Sequence, residues 1–302
     1  MAEQPCGFLV LDKPAGPSSH GCVARVRRAY GLKRVGHGGT LDPAVTGVLP
    51  IALGAATRLL PYLGGDKAYR GLVQLGLTTS SDDLEGEVLE RRPLPSLSPS
   101  ELEAALAPFR GAIEQVPPQV SAVHVDGERA YARVRRGEHL ELAARPVVIH
   151  RLELLGWEPA SGRLELELRC SAGTYVRALA RDLGAALGCG GALAQLRRTE
   201  ALGFGLEQAV SLDALDAGGP GGSPPPLLDP LVPLRHLARH QLSPAEQEGW
   251  RCGRAPLLPD ALGELAPDSP VVVLDPDGNL AGMARVQAIG ALQPRLVLDA
   301  AG

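Results

Sequence analysis

Aromatic residues are scarce in this chain of 302 residues, at 3% of the total, and several familiar signals are missing. The five cysteines are scattered and form no C-x-x-C pair, so neither a disulfide framework nor a zinc site is predicted. Apolar runs fall short of the roughly 20 residues that span a bilayer, and no signal-peptide core precedes Asp12. We therefore expect a cytoplasmic protein with no membrane association.

Two common catalytic motifs are also absent. The chain has no G-x-x-x-x-G-K-[ST] phosphate loop and no G-x-S-x-G nucleophile elbow. Its seven histidines show no metal-ligand spacing. Metal chemistry is therefore not expected, and the remaining candidates for chemistry are carboxylates, arginines and the few aromatic residues.

Charge is unevenly distributed along the chain. The net charge of -4 and the pI near 6.0 argue against a protein that coats nucleic acid indiscriminately. Basic residues nevertheless concentrate in three blocks. They are Lys13, Arg25, Arg27, Arg28, Lys33 and Arg34; Arg129, Arg133, Arg135 and Arg136; and Arg177, Arg181, Arg197 and Arg198. The blocks either form one positive face for a polyanion or lie on three solvated helix faces, and charge alone does not separate these interpretations.

Strand and helix patterns mix without a regular βαβ rhythm. Strands are predicted at 7–16, 48–54, 68–77, 147–158 and 162–171, and helices at 55–63, 98–111 and 175–188, with another between a cap at Ser18 or Ser19 and Gly31. This pattern favours an α+β fold with a mixed sheet. A Gly/Pro-rich stretch at 216–230 predicts a linker, which separates a core at 1–215 from a small β-rich module at 231–302.

One acid occupies an unusual setting, in GHGGTLDPAVTG at 36–47. Asp42 would cap a turn with Pro43 at the first helical position, or it would present its carboxylate on a sharply shaped loop for chemistry. Tyr69 and Tyr175 each lie beside an arginine at the boundary of an element, where a tyrosine either packs in the core or stacks on a planar base.

Six ordered strings resemble the motifs of the bacterial TruB-type tRNA pseudouridine-55 synthases. They are LDKPAGPSSH (11–20), GHGGTLDPAVTGVLP (36–50), KAYRG (67–71), QVSAVHVDGERAYARVRRG (119–137), CSAGTYVRALARDLG (170–184) and LRRTEALGFGLEQAV (196–210). The tail from about Leu231 is similar to the small PUA-type RNA-binding domain of that family. The resemblance thus extends over essentially the whole chain.

The resemblance implies that Asp42 is the catalytic aspartate, acting on the sugar-base bond of uridine 55 in the T arm of tRNA. It implies that the flipped uridine is lined by His37, Tyr69, Tyr175 and Leu196, and that Arg177 pairs with the aspartate. It also implies a monomer that needs no guide RNA and no obligate protein partner. In this interpretation the glycines around Asp42 allow close approach of the RNA backbone, and Pro43 stiffens the loop.

Two routes for the aspartate remain open, attack on C1′ or removal of the C2′ proton. Both need an ionised carboxylate, and neither needs a metal or a cofactor. Two other functions compete with the synthase. One is a tRNA-binding chaperone on the same fold without catalysis. The other is a hydrolase that uses Asp42 and a second acid such as Asp83 as a carboxylate pair.

Overall fold

The computed structural model describes residues 5–298, except 122, 126, 135, 139, 219–222 and 289. Within these residues the helices are α1 (Ser19–Tyr30), α2 (Pro99–Leu106), α3 (Ala130–Val134), α4 (Val176–Ala186), α5 (Leu212–Ala217) and α6 (Pro244–Arg251). Short 3-10 helices cover Gly54–Tyr62, Ala107–Phe109, Leu206–Gln208, Val232–Leu234 and Asp260–Leu262.

The strands fall into two groups along the chain. The first group is β1 (Gly7–Lys13), β2 (Val35–His37), β3 (Thr46–Leu53), β4 (Lys67–Leu75), β5 (Leu77–Thr79), β6 (Val88–Arg91), β7 (Gly111–Gln115), β8 (His124–Val125), β9 (Glu128–Arg129), β10 (Arg145–Glu158), β11 (Arg163–Cys170), β12 (Gly191–Ala201), β13 (Phe204–Gly205) and β14 (Ala209–Ser211). The second is β15 (Ala238–Gln241), β16 (Pro270–Leu274), β17 (Leu280–Gln287) and β18 (Ala291–Val297).

A ten-stranded sheet organises the first group. Its order is β14-β1-β3-β12-β4-β11-β10-β7, with β13 paired to β12 and β2 paired to β3. The β1/β14 and β3/β12 pairs are parallel and the other pairs of this sheet are antiparallel. The sheet is therefore mixed, and the predicted α+β class is confirmed. Strand β12 lies in its centre, between β3 and β4.

Local sequence signals explain the best-predicted elements. The hydroxyl of Ser18 accepts a hydrogen bond from the backbone N–H of Gly21 and starts α1, which ends at Gly31 with a φ of 63°. The helix predicted at 55–63 is a 3-10 helix, and the strand predicted at 68–77 is interrupted at Gly76, whose φ is 89°. A glycine readily adopts such a positive φ, so the chain turns there from β4 into β5.

The two faces of the ten-stranded sheet differ in polarity around β11. Leu164, Leu166 and Leu168 are buried against a cluster that includes side chains of α2 and α4. The alternate positions Arg163, Glu165 and Arg169 are exposed or polar, as the period of two in a strand requires. Around β11, one face of the sheet therefore carries the core, and the opposite face is polar.

A four-stranded sheet forms the C-terminal region, in the order β15-β16-β17-β18. The predicted β-rich character is confirmed, although β15 was not predicted, and the PUA-type assignment stays a prediction. The sheet has its own apolar cluster around Trp250. A second cluster joins it to the larger sheet, because Val272 and Met283 belong to the same buried group as Phe8.

The predicted linker contacts the core where the structure describes it. Residues 219–222 lie outside the described part of the chain. Beyond them, Phe8 and Leu228 exchange backbone hydrogen bonds of 3.0 and 2.7 Å, and the hydroxyl of Tyr30 donates to the carbonyl of Pro225. Helix α5 continues past residue 215 to Ala217. The division at 215 and 230 stays a prediction.

Candidate active site

The Asp42 side chain lies on the connection between β2 and β3, and it is 47% exposed. The residue before it is bound to the first turn of α1. The hydroxyl of Ser19 accepts from the N–H of Leu41 at 2.8 Å and donates to its carbonyl at 3.0 Å. Because Ser19 is buried, this double hydrogen bond attaches the start of the helix directly to the chain that carries the acid.

Two buried cations bind the backbone around Asp42. The ammonium of Lys13 donates to the carbonyls of Pro43 at 2.9 Å and Val45 at 2.7 Å. The guanidinium of Arg198 binds carbonyls on both sides of the loop. Burial lowers the pKa of both groups from their ordinary values, although Asp42 raises that of Lys13. The loop carbonyls supply part of the stabilisation that water would otherwise give these charges.

Glycines in this loop make room for neighbouring parts of the protein. A Cβ on Gly38 would lie 2.2 Å from a side-chain carbon of Leu202. A Cβ on Gly47, whose φ is 101°, would lie 2.1 Å from the carbonyl oxygen of Arg198. At these two positions it is the chain around β12 that approaches the glycines, and the expectation that the loop glycines allow close approach of RNA stays a prediction.

The predicted ion pair between Arg177 and Asp42 is present, with 3.0 Å between Nη2 and Oδ2. Arg177 belongs to α4 and is buried, and its Nε lies 3.6 Å from Oδ2 of Asp83. It also donates to the carbonyls of Ser81 at 2.9 Å and Val120 at 3.0 Å. This arginine has a fixed position because four groups hold it, so it fixes the direction of the Asp42 carboxylate in turn.

Asp83, which the sequence named only as the second acid of a competing hydrolase, also belongs to the site. Its carboxylate accepts a hydrogen bond from the hydroxyl of Ser81 at 2.5 Å and one from the N–H of Glu85 at 3.1 Å. Asp42 and Asp83 therefore share one buried guanidinium. A carboxylate-pair glycosidase instead uses an uncharged carboxylic acid to protonate the leaving group, and a shared arginine does not suit that role.

Tyr69 and Leu196 lie on the neighbouring strands β4 and β12. Tyr69 is buried, and burial raises the pKa of its hydroxyl, while the nearby Arg198 lowers it to a smaller extent. Leu196 is the cross-strand partner of Gly71, where a Cβ would come within 3.4 Å of the leucine side chain. The phenol thus stays neutral at physiological pH and is available as a hydrogen-bonding group.

His37 is partly buried at the end of β2. Its Nδ1 accepts from the N–H of Gly39 at 3.3 Å, which places the proton of the neutral ring on Nε2. Burial lowers its pKa, and the neighbouring His20 and Arg198 lower it further. The rings of His20 and His37 meet edge to face with centroids 5.2 Å apart. His37 is therefore a neutral ring with an N–H donor.

Tyr175 is the residue that precedes α4. Its backbone is held by the amide of Gln115, which accepts from the Tyr175 N–H at 2.8 Å and donates to its carbonyl at 3.1 Å. Because α4 starts at the next residue, this contact fixes Tyr175 and Arg177 together at one end of the helix.

The structure brings three of the six predicted residues into one cleft of about 1060 Å³, which Asp42, Arg177 and Leu196 line together. Asp83, Arg70 and Glu165 also line it. His37, Tyr69 and Tyr175 lie outside its described lining. His37 ends β2, which precedes the Asp42 loop. Tyr69 lies on β4 next to Arg70, and Tyr175 precedes α4, the helix of Arg177.

The three basic blocks do not form one solvated face. Lys13, Arg177 and Arg198 are buried, so the expectation that they belong to a positive surface was wrong. These three buried side chains donate hydrogen bonds to backbone carbonyls around the site. Arg135 lies outside the described residues, and the side chain of Arg129 is not described. Arg27 and Arg28 are exposed, as are Lys33 and Arg34.

None of the helices that the structure describes is long and apolar enough to cross a membrane. Among the described residues, no group of three or more histidine, cysteine, aspartate or glutamate side chains is arranged to hold a metal ion.

Solved structures share the architecture. A chain in the crystal structure of a Cbf5-Nop10-Gar1 complex matches 96% of this chain and 84% of its own length, with a TM-score of 0.74 at 24% identity. A chain in the structure of an H/ACA RNP bound to a substrate RNA containing 2'-deoxyuridine matches 96% and 84% with a TM-score of 0.71 at 22% identity. These two likenesses establish the fold.

Sequence relatives extend over the whole chain. A tRNA pseudouridine synthase B of Parasynechococcus marenigrum (strain WH8102) is 63% identical over 298 residues, which is 99% of each chain. One of Synechococcus elongatus (strain ATCC 33912 / PCC 7942 / FACHB-805) is 50% identical over 297 residues, covering 97% of this chain and 98% of the relative.

Family models match most of the described core. The TruB family pseudouridylate synthase (N terminal domain) model matches residues 27–176, and the tRNA pseudouridylate synthase B C-terminal domain model matches residues 177–218. Fold, site and relatives together define an enzyme of the pseudouridylate synthase class. Within that class, the chain belongs to the TruB family.

Proposed function

We propose that this chain converts uridine 55 in the T arm of tRNA to pseudouridine. The observation that carries the proposal is the ion pair between Asp42 and the buried Arg177 at an open cleft, in a chain of the TruB family. The reaction breaks the N1–C1′ bond of uridine and rejoins the base through C5. The base must first leave its stack, which costs a few kcal/mol before any chemistry.

Asp42 is the group that acts on the glycosidic bond in this proposal. Its carboxylate is half exposed at the cleft, while the backbone on either side is held by Ser19, Lys13 and Arg198. Holding an acid on a fixed backbone reduces the entropy lost on reaching the transition state. Arg177 directs the carboxylate and balances its charge when RNA phosphates are near.

The remaining predicted residues line the flipped uridine in this proposal. Leu196 offers an apolar contact from β12, and the buried Tyr69 lies on the adjacent strand. Tyr175 precedes the helix of Arg177, and His37 supplies a neutral ring that can take the place of the extruded base in the stack. Exposed Arg27, Arg28 and Lys33 are candidates for phosphate contacts, because α1 is attached to the Asp42 loop.

We further propose that the enzyme acts in the cytoplasm as a monomer, without a guide RNA or an obligate protein partner. The core at 1–215 would perform the reaction, and the PUA-type module at 231–302, joined by the linker at 216–230, would add RNA contacts. The supporting observation is that the whole site, from Lys13 to Arg198, comes from the larger sheet and its helices.

Tritium release tests this function. The protein is incubated with a tRNA transcript labelled with tritium at C5 of every uridine, and the expected result is release of label equivalent to one uridine, with pseudouridine mapped to position 55. A transcript with cytidine at position 55 is the matched control and should release no label. Binding of the transcript without any release would contradict the proposal and favour a chaperone of the same fold.

A further inference from the structure

Arg198 is a completely buried cation on the central strand β12, with a relative exposure of 0%. No aspartate or glutamate in the described part of the chain forms an ion pair with it. A buried arginine without an acidic partner is costly, so its hydrogen bonds to neutral groups must compensate for the lost hydration. Those groups identify what the residue holds in place.

Three of the partners are backbone carbonyls of the segment that carries Asp42. Nε donates to Val48 at 2.8 Å, Nη2 donates to Gly39 at 3.1 Å and Nη1 lies 3.4 Å from the oxygen of Thr40. Two of these carbonyls precede Asp42 and one follows it. The planar guanidinium therefore binds the chain both before and after Asp42, and the relative directions of its donors are fixed.

The neighbouring strand places Tyr69 opposite Arg198. Arg198 and Tyr69 are cross-strand partners in the β12/β4 pair, and Arg198 is also the register partner of Gly47 on β3. Burial raises the pKa of the Tyr69 hydroxyl, and the nearby Arg198 cation opposes that rise.

We propose that Arg198 is a positioning residue that sets the separation between the Asp42 carboxylate and the Tyr69 hydroxyl, so that a uridine between them meets both groups in one geometry. The proposal rests on the proposed function of the cleft. Arg198 itself touches neither sugar nor base in this account. A lysine keeps the charge and the burial but has a single nitrogen, so it cannot hold the loop and the phenol in the same arrangement.

Single-turnover kinetics provide the first test. Arg198→Lys should lower the rate at saturating tRNA by roughly tenfold to 100-fold, because a displacement of about 1 Å can cost that much, while the Kd for tRNA stays within about twofold. Arg110→Lys is the matched control. Arg110 donates to the carbonyl of Leu152 at 2.9 Å and pairs with Glu103, away from the described cleft lining, and its rate should equal that of the parent.

A double-mutant cycle separates positioning from general stability. Arg198→Lys should reduce the rate by a smaller factor in a Tyr69→Phe background than in the parent, because one of the two groups that it positions has lost its hydroxyl. Equal factors in the two backgrounds would contradict the coupling. A lower melting temperature with an unchanged rate would show a merely structural role and would also overturn the proposal.

A measurement without RNA keeps the proposal testable if the proposed function fails. The protein is labelled with 3-fluorotyrosine, and the fluorine resonance missing in Tyr69→Phe is assigned to Tyr69. That resonance should shift in Arg198→Lys and stay in place in Arg110→Lys, while the other four tyrosines are unchanged. An unmoved Tyr69 resonance would contradict the contact whatever reaction the cleft performs.

Discussion

The two sheets of this protein differ in what they bury. Among the described residues, the buried polar and charged residues all belong to the larger sheet and the elements around it. They are Lys13, Ser19, Thr79, Gln115, Ser121, Arg177 and Arg198. The cluster within the C-terminal sheet is apolar, and the indole of Trp250 donates to the carbonyl of Ala281 at 3.1 Å.

Burying the charged groups of the site costs free energy in the larger sheet, whereas apolar burial stabilises the C-terminal sheet. Lys13 and Arg198 lose hydration on burial and are compensated by carbonyls of the Asp42 loop, so they hold geometry more than they add stability. Apolar burial in the C-terminal sheet contributes roughly 25 cal/mol per Å² and demands little geometric accuracy. Variants in the larger region should therefore change the reaction, and variants in the smaller one should change unfolding.

Gly47→Ala should give the largest change, because it displaces the loop against β12. The new Cβ would lie 2.1 Å from the Arg198 carbonyl at a φ of 101°. We expect a loss of several kcal/mol in the free energy of unfolding and a single-turnover rate at least about 100-fold lower.

Gly64→Ala is the control for that variant. Gly64 has no positive φ and no neighbour within 4 Å of an added Cβ, so stability and rate should equal those of the parent. If Gly47→Ala behaved like Gly64→Ala in urea unfolding and in the rate assay, the account of the loop would be wrong.

Trp250→Ala should have the next largest effect, and the effect should be on stability alone. Removing a fully buried aromatic side chain costs about 3–5 kcal/mol, so the urea midpoint should fall. The rate at saturating tRNA, measured where the variant is folded, should stay near the parent value. Leu257→Ala, at a side chain that is 79% exposed, should leave both unchanged. If Trp250→Ala lowered the rate as much as Gly47→Ala does, the proposed difference between the two sheets would be wrong.

The smallest effect concerns pH. Burial lowers the pKa of His37 below its ordinary value of 6.5, so below that pH the folded protein holds fewer protons at this site than the unfolded chain does. This contribution to stability is present above pH 6.5 and is lost as the pH falls through the folded pKa. His37→Gln should therefore show a shallower decline in the free energy of unfolding below pH 6.5.

The exposed His236 offers the matched control, and His236→Gln should keep the slope of the parent protein. The measurement is urea unfolding at a series of pH values for the three proteins. A slope in His37→Gln identical to that of the parent would show that the ring is not desolvated as described.

Sequence patterns predicted the elements whose ends and faces follow local rules. Ser18 caps α1 as expected, and Ser98 caps α2 at the start of the helix predicted at 98–111. The strands predicted at 147–158 and 162–171 are β10 and β11, which form an antiparallel pair. Strand β12 was missed because a buried arginine and polar neighbours disrupt its alternation. The polar strand β15 was missed for a similar reason. Tertiary contacts, more than local propensity, determine both strands.

The site residues that lie in recognisable sequence motifs were predicted. Asp42, Arg177 and Leu196 meet in one cleft, as the family resemblance implied. The roles of Lys13 and Arg198 were not found, because a sequence shows a charge and does not show its burial. A signal was available in retrospect, since Lys13 ends a strand that begins with the apolar residues GFLVL, and Arg198 lies in a motif close to Leu196.

The Asp42→Asn variant tests the central claim most directly. Asparagine keeps the size of the side chain and its ability to cap a turn, but it removes the charge that either chemical route requires. The measurement is a single-turnover pseudouridine assay with filter binding of tRNA, and circular dichroism confirms folding. Asp277→Asn, at an exposed position in the C-terminal hairpin, removes the same charge as a control. We predict turnover below detection for Asp42→Asn with near-parent tRNA affinity, and turnover within about tenfold of the parent would contradict the account.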